Sequence, residues 1–205
     1  MSTRETWNGL MSRLAVSADM ANALWADLSA AYTQPHRHYH DISHIDVLVA
    51  AFMPLRERFE DADAALLALF YHDIVYDPAR PDNEERSAEW LATDFPGRAR
   101  AQRHVLATKR HDDAEDADTS LVLDLDMGIL GAPWLAYLAY AEGVFREYVP
   151  VHGRDAYAKG RAELFLKPTL AKPRIFLTPD FAARESQARQ NLAAELALWA
   201  DGGFA

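Results

Sequence analysis

The sequence has no cysteine, no long hydrophobic run and no repeated or low-complexity segment. Without cysteine, the chain cannot form a disulfide framework, a thiolate metal site or a thiol nucleophile. Its longest apolar run, residues 64–71, is far shorter than the roughly 18 residues that a membrane-spanning helix needs. The first residues, MSTRETWNGLMSRLAV, also lack a signal-type apolar segment. We therefore expect a cytoplasmic protein that makes no membrane contact.

Positive charge is scarce as well. The 205 residues include 21 Lys and Arg against 31 Asp and Glu, which gives a net charge of −10. This balance argues against binding to duplex nucleic acid, but a nucleotide substrate remains compatible because a bound cation can reverse the local charge. Half of the residues are hydrophobic and a quarter are charged, which is typical of a soluble globular protein. The length predicts a single domain over residues 1–205.

Hydrophobic residues recur at helical spacing along most of the chain, and no convincing set of strands is evident. The predicted helices cover residues 19–32, 41–53, 62–73, 83–94, 98–111, a short segment ending near Gly128 or Gly131, 133–148, 155–166 and 179–199. Segment 62–73 is apolar nearly all round, as expected of a central helix. The sequence thus predicts an all-α helical bundle, with the C-terminal helices, residues 150–205 approximately, packed on the core.

Two stretches concentrate candidate metal ligands. Residues 38–46, HYHDISHID, contain His38, His40 and His44, and residues 71–77, YHDIVYD, place His72 and Asp73 at the end of the predicted central helix. Imidazole and carboxylate groups are the usual ligands of divalent transition metals. Packing alone explains them poorly, because Asp is almost never buried without a partner. These residue types therefore predict a metal site, although His38 is more typical of an exposed histidine.

A third element follows later in the chain, where Asp124 and Asp126 lie within the apolar run of LDLDMGIL. The order His44, His72-Asp73, Asp126 resembles that of the HD-domain superfamily of metal-dependent phosphohydrolases. That resemblance implies an HD-domain-like fold in which these four residues bind one divalent metal in a central cleft. The family's usual AD-x-L pattern aligns better with Asp126 than with Asp124. The metal could be Mn, Fe, Ni, Co, Zn or Mg.

Longer segments extend the resemblance over most of the chain, from PHRHYHDISHI through HDIVYDP, NEERSA and DLDMGILG to GRAELFL. They look like an uncharacterised bacterial branch of predicted HD phosphohydrolases. YHDISHIDV is similar to the YHNxxHAxDV segment of cyclic-nucleotide phosphodiesterases, which implies that His40 is a general acid, although Asp41 replaces the Asn. HDIVYD is similar to the HDxxED segment of guanosine-tetraphosphate regulators. That similarity implies a water-orienting role for Asp77, although Tyr76 replaces the Glu.

Four further residues are candidates for substrate binding. Arg37 and Lys109 can contact a phosphate, His111 can contact a phosphate or a second metal, and Glu84 can hold a water molecule. Each also has a structural interpretation, because cationic side chains commonly form solvated faces and acidic residues favour the first turn of a helix.

The resemblance implies a hydrolase acting on a small phosphate ester, and the expected substrate is a nucleotide or a related phosphomonoester or phosphodiester. The alternative is a non-catalytic module that binds metal and nucleotide and signals to a partner. A two-iron oxygenase on the same fold would need more histidine ligands, for which His104 and His111 are the candidates.

Overall fold

The computed structural model describes residues 2–112, 114 and 116–204. Within these residues the chain forms helices and no strand, which confirms the predicted all-α class. The chain divides into two compact units, Met1–Asp126 and Met127–Ala205. The predicted single domain, with C-terminal helices packed on the core, stays a prediction.

The described helices of the N-terminal unit are α1 (Thr3–Arg13), α2 (Ala18–Tyr32), α3 (Ile42–Phe52), α4 (Ala62–Tyr71), α5 (Asn83–Asp94), α6 (Ala99–Ala107) and α7 (Ala117–Asp126), and a 3-10 helix, Met53–Arg58, follows α3. Helix α4 is central, because it contacts α1, α3, α5, α6 and α7. All its residues from Ala64 to Tyr71 are buried. Burial of each large apolar side chain there contributes about 1.5–3 kcal/mol to folding. The prediction of a central helix that is apolar all round is confirmed.

The ends of α3 and α4 follow local capping rules. The carboxylate of Asp41 accepts a hydrogen bond from the Ser43 N–H (2.8 Å), so α3 begins at Ile42 and the predicted N-cap is confirmed. The carboxylate of Asp61 caps α4 in the same way, through the Ala64 N–H (3.0 Å). Helix α4 ends at Tyr71, slightly earlier than predicted, and His72 is its C-cap residue.

Helix α1 was not among the predicted helices. Its sequence signal is a capping box, in which the Ser2 hydroxyl accepts from the Glu5 N–H and the Glu5 carboxylate accepts from the Ser2 N–H. Trp7 of α1 is fully buried and meets Phe70 of α4 edge to face, with the ring centroids 5.1 Å apart. Its indole N–H donates to the Ala21 carbonyl of α2 (3.0 Å), so α1 and α2 support one side of α4.

The described α-helices of the C-terminal unit are α8 (Trp134–His152), α9 (Arg154–Gly160), α10 (Lys167–Ala171) and α11 (Glu185–Ala200). A π-helical segment, Arg161–Leu166, joins α9 to α10, and two 3-10 helices, Met127–Gly131 and Pro179–Arg184, follow α7 and precede α11. A buried ion pair links this segment to α11. Arg161 donates through Nε and Nη2 to the two carboxylate oxygens of Glu195, at 2.9 and 3.0 Å. Glu195 also accepts from the Tyr137 hydroxyl and from the Trp199 indole N–H.

Among the described residues, no single helix is long and apolar enough to cross a membrane. The helical stretches 117–131 and 134–152 reach the length and apolar composition of a span only when they are taken together.

Candidate metal centre

Three helix ends of the N-terminal unit bring together two histidines and an aspartate. His44 lies in the first turn of α3, His72 caps the C-terminal end of α4, and Asp126 is the last residue of α7. Contacts of α3 with α4 and of α7 with both helices bring these ends together. His44 and His72 are buried, and Asp126 is nearly so. We call His44, His72 and Asp126 the His-His-Asp cluster.

The cluster has the dimensions of a metal site. Nε2 of His44 lies 3.2 Å from Nε2 of His72, and Oδ1 of Asp126 lies 3.4 and 3.5 Å from these two nitrogens. One ligand atom from each residue therefore lies within 4.8 Å of the others. Oδ2 of Asp73 adds a fourth electron-pair donor, 3.1 Å from Nε2 of His72. Among the described residues, the group that could hold a metal includes Asp126 and not Asp124, as predicted.

The hydrogen bonds of His72 fix which of its ring nitrogens can bind a cation. Its Nδ1 lies 3.0 Å from the Leu69 carbonyl oxygen. A carbonyl can only accept, so Nδ1 carries the hydrogen and donates it. The neutral ring then has its lone pair on Nε2, the atom that faces His44 and the carboxylates. In the neutral ring this arrangement leaves the Nε2 lone pair available to a cation.

His44 is oriented by packing instead. Its Nδ1 is buried and has no hydrogen-bond partner within the part of the chain that the structure describes. Its ring packs against the rings of Tyr39 and His72, with centroids 4.9 and 5.3 Å away. The Asp41 cap, three residues earlier, fixes the helical turn from which the ring projects.

Burial and the opposite charges of neighbouring side chains shift the pKa values of the cluster residues. Burial lowers the pKa of the His44 imidazole. Burial also opposes the charged form of His72, but the adjacent carboxylates of Asp73 and Asp126 outweigh it and raise the pKa of His72. Conversely, the histidine contacts hold the pKa of the Asp73 and Asp126 carboxyls below the usual value, although burial raises it.

This donor set fits a divalent cation. Two imidazole rings and the Asp126 carboxylate meet in one buried space, with the Asp73 carboxylate beside His72, and such groups are common ligands of a divalent metal. Imidazole ligands favour Mn, Fe, Co, Ni or Zn over Mg, which prefers sites made of oxygen.

His111 contacts the outer side of Asp126. Its Nε2 lies 2.7 Å from Oδ2, whereas Oδ1 of the same carboxylate faces His44 and His72. The backbone φ angle of His111 is 49°, in the left-handed region that residues other than glycine rarely adopt. The structure therefore brings the predicted substrate contact His111 against a predicted metal ligand, and its contact with substrate stays a prediction.

His40 reaches the cluster from outside α3. The helix begins at Ile42, so His40 and His44 do not share one helical face, and the bend at residues 38–41 supplies His40 instead. Its Nε2 lies 4.0 Å from Oδ2 of Asp73, and its side chain is half-buried. The ring of Tyr76 lies beside the His40 ring, with centroids 4.5 Å apart. The predicted general acid thus stands next to a predicted metal ligand.

The predicted carboxylates Asp77 and Glu84 lie in and after the loop that follows the cluster. Oδ1 of Asp77 accepts from the Ala79 N–H (2.9 Å), a contact that shapes the loop, and its water-orienting role stays a prediction. Burial raises the pKa of Glu84, and the negative charge of Asp73 raises it further. The water-holding role predicted for Glu84 stays a prediction.

Arg37 and Lys109 differ in their surroundings. Arg37 is buried and hydrogen-bonds backbone carbonyls on both sides of the site. Lys109 is exposed, donates to the Pro81 carbonyl (2.7 Å) and pairs with the Glu85 carboxylate. Phosphate contacts from these two residues stay predictions.

Sequence reasoning missed Tyr32, which supports the cluster from α2. Its hydroxyl donates to the Phe70 carbonyl (3.1 Å) and accepts from the Asp73 N–H (3.2 Å), so it holds the chain where α4 ends. In the sequence, Tyr32 is one more residue on the apolar face of α2, and nothing there marks its hydroxyl as special.

When the chain is compared with protein-family models, with curated proteins and with solved structures, none of them matches it. What is shown is an all-helical chain with a buried His-His-Asp cluster that could hold a metal ion.

Proposed function

We propose that this protein is a metal-dependent phosphohydrolase of the HD type, acting on a small phosphate ester such as a nucleotide. The observation that carries the proposal is the convergence of His44, His72 and Asp126 within 4.8 Å, with Asp73 beside them. These are the residues that the sequence resemblance implies as ligands, and they come from three separate helix ends. A polar core cluster has no need to direct its lone pairs to one point.

The four side chains would hold one divalent cation through Nε2 of His44, Nε2 of His72 and carboxylate oxygens of Asp73 and Asp126. When bound, it would polarise a phosphoryl oxygen and lower the pKa of water toward about 7, which supplies hydroxide at neutral pH.

The side chains around the metal site transfer the proton and orient the attacking water. His40, beside Asp73 and half-buried, donates a proton to the departing oxygen as the bond between phosphorus and that oxygen breaks. Asp77 or Asp73 orients the attacking water for in-line displacement. The net charge of −10 favours a small substrate held by local contacts over a nucleic-acid duplex.

The test measures metal content and hydrolysis together. Wild type, His44→Ala and the double variant His72→Ala/Asp73→Ala are purified, supplemented with Mn²⁺ and assayed with p-nitrophenyl phosphate and a nucleotide panel. His152→Ala, an exposed histidine of the C-terminal unit, is the matched control. We expect about one metal per chain in wild type and the control, and loss of metal and hydrolysis in the cluster variants.

Two results would contradict the proposal in different ways. A wild-type protein that takes up no metal after reconstitution would reduce the cluster to a structural polar core. Metal and nucleotide binding without hydrolysis of any substrate would instead favour the non-catalytic binding module.

A further inference from the structure

Arg37 is a buried cation whose hydrogen bonds, within the described part of the chain, go to uncharged oxygens. Only 5% of its surface is exposed. Nη1 donates to the carbonyls of His40 and Asp73, both at 2.8 Å, and Nη2 donates to the Ile74 carbonyl at 3.1 Å. Its Nε donates to the side-chain carbonyl of Gln34 at 3.3 Å. One guanidinium nitrogen therefore joins the segment before α3 to the turn that follows α4.

Two aromatic rings hold the guanidinium in place. Its central carbon lies 4.9 Å from the centroid of the Tyr32 ring and 5.2 Å from that of Tyr76. The Tyr76 ring in turn lies beside the ring of His40. A planar guanidinium can make these stacking contacts and the forked hydrogen bonds at once, whereas a lysine ammonium cannot.

The backbone of Asp73 is consequently held at both of its polar groups. Its N–H donates to the Tyr32 hydroxyl, and its carbonyl accepts from Arg37. The same nitrogen of Arg37 also holds the carbonyl of His40. Arg37 thus lies between the backbone of a predicted metal ligand and the backbone of the predicted general acid.

We propose that Arg37 is a positioning residue that fixes His40 relative to Asp73, rather than a group that binds phosphate itself. This proposal rests on the proposed function, because it assigns to His40 the proton donated to the leaving oxygen. Misplacement of a reacting group by about 1 Å can cost about 100-fold in rate. The rigid fork of Arg37 prevents such a displacement.

The proposal makes a prediction about leaving groups. An ester with a weakly basic leaving oxygen, such as p-nitrophenyl phosphate, needs little protonation, whereas phenyl phosphate needs more. If His40 is displaced, the hydrolysis of phenyl phosphate should therefore slow more than the hydrolysis of p-nitrophenyl phosphate. A general loss of folding or of metal would slow the hydrolysis of both esters to the same extent.

The experiment compares Arg37→Lys, which keeps the charge but loses the fork, with Arg37→Met, which loses both. The control is Arg189→Lys, since Arg189 likewise donates to backbone carbonyls, those of Leu170, Lys172 and Pro173, in the C-terminal unit. For both Arg37 variants we expect kcat to fall about 10- to 100-fold more for phenyl phosphate than for p-nitrophenyl phosphate. Metal content should be unchanged, and the control should show no such selectivity.

Hydrogen exchange supplies a readout that does not depend on activity. In Arg37→Lys, peptides covering residues 37–41 and 72–75 should exchange faster than in wild type, because the segments lose their common anchor. A wild-type ratio between the two esters in Arg37→Lys, or unchanged exchange in both peptides, would overturn the proposal. If wild type hydrolyses neither ester, the proposed function fails, and the exchange measurement still decides whether Arg37 holds the two segments.

Discussion

Replacement of a single carboxylate on α7 should separate metal binding from folding. Asp126 and Asp118 both lie on α7, at its end and near its start. Asp126 faces the two histidines of the cluster, whereas Asp118 accepts from the backbone N–H groups of Glu60 and Asp61, both at 2.8 Å. Asp126→Asn removes the carboxylate of the candidate metal site, and Asp118→Asn is its matched control.

The expected size of the effect follows from binding linkage. A ligand at 100 times its dissociation constant stabilises the folded state by about 2.7 kcal/mol. For a chain of this length, 1 kcal/mol corresponds to about 2–4 °C in Tm. Saturation of wild type with Mn²⁺ should therefore raise Tm by about 5–11 °C.

The two variants should respond in opposite ways. In Asp126→Asn the Mn²⁺-induced shift should disappear at the same concentration, because the site loses a charged ligand. In Asp118→Asn the starting stability should fall by about 1–3 kcal/mol, because the backbone N–H groups of Glu60 and Asp61 lose a charged acceptor. Its Mn²⁺-induced shift should match that of wild type.

Thermal unfolding followed by tryptophan fluorescence, with and without EDTA, measures these shifts. The reasoning is refuted if Asp126→Asn keeps the full shift or if wild type shows none. Equal loss of the shift in both variants would also refute it, because the effect would then follow general damage to α7 rather than loss of a ligand.

Two further predictions concern groups outside the set of ligands. His111→Asn should weaken Mn²⁺ binding about 10- to 100-fold, because the shorter side chain no longer donates to Asp126 and orients it. Titration calorimetry measures the affinity, and an unchanged affinity would show that His111 does not orient Asp126. Glu195→Gln should cost about 3–5 kcal/mol at pH 7 in urea unfolding, because it leaves Arg161 as an uncompensated buried charge. Although burial raises the pKa of Glu195, Arg161 holds it below the usual value, so its contribution is present at neutral pH and is lost as pH falls through that lowered pKa. Wild type should therefore lose stability on acidification more steeply than Glu195→Gln, and equal slopes would contradict this account.

Much of the helical architecture could be predicted, because the signals are local. The run from Ala64 to Tyr71 has no polar face and so predicts a helix buried on every side, which the structure confirms. Asp41 has the chemistry of an N-cap and performs that role. Helix α1 was missed, although the Ser2 and Glu5 pair carries its signal, because its apolar pattern is short.

The candidate site could be predicted in part. The sequence singled out His44, His72, Asp73 and Asp126 by residue type, order and resemblance. The structure brings the side chains of His44, His72 and Asp126 together and places Asp73 beside His72. The position of His40 depends on helix capping. Because Asp41 caps α3, the helix starts after His40, and the bend at residues 38–41 carries the His40 side chain.

The sequence by itself determined the all-helical class and the residues able to bind a metal, because helical periodicity, capping and ligand chemistry depend on residue type and local spacing. Only the tertiary structure decided which polar groups meet across distant segments. The contacts of Arg37 with the His40 and Asp73 carbonyls, and of Tyr32 with the Asp73 N–H, involve backbone groups that residues of almost every type carry. Because such groups leave no mark in the sequence, the role of a side chain that binds them depends on how the helices pack.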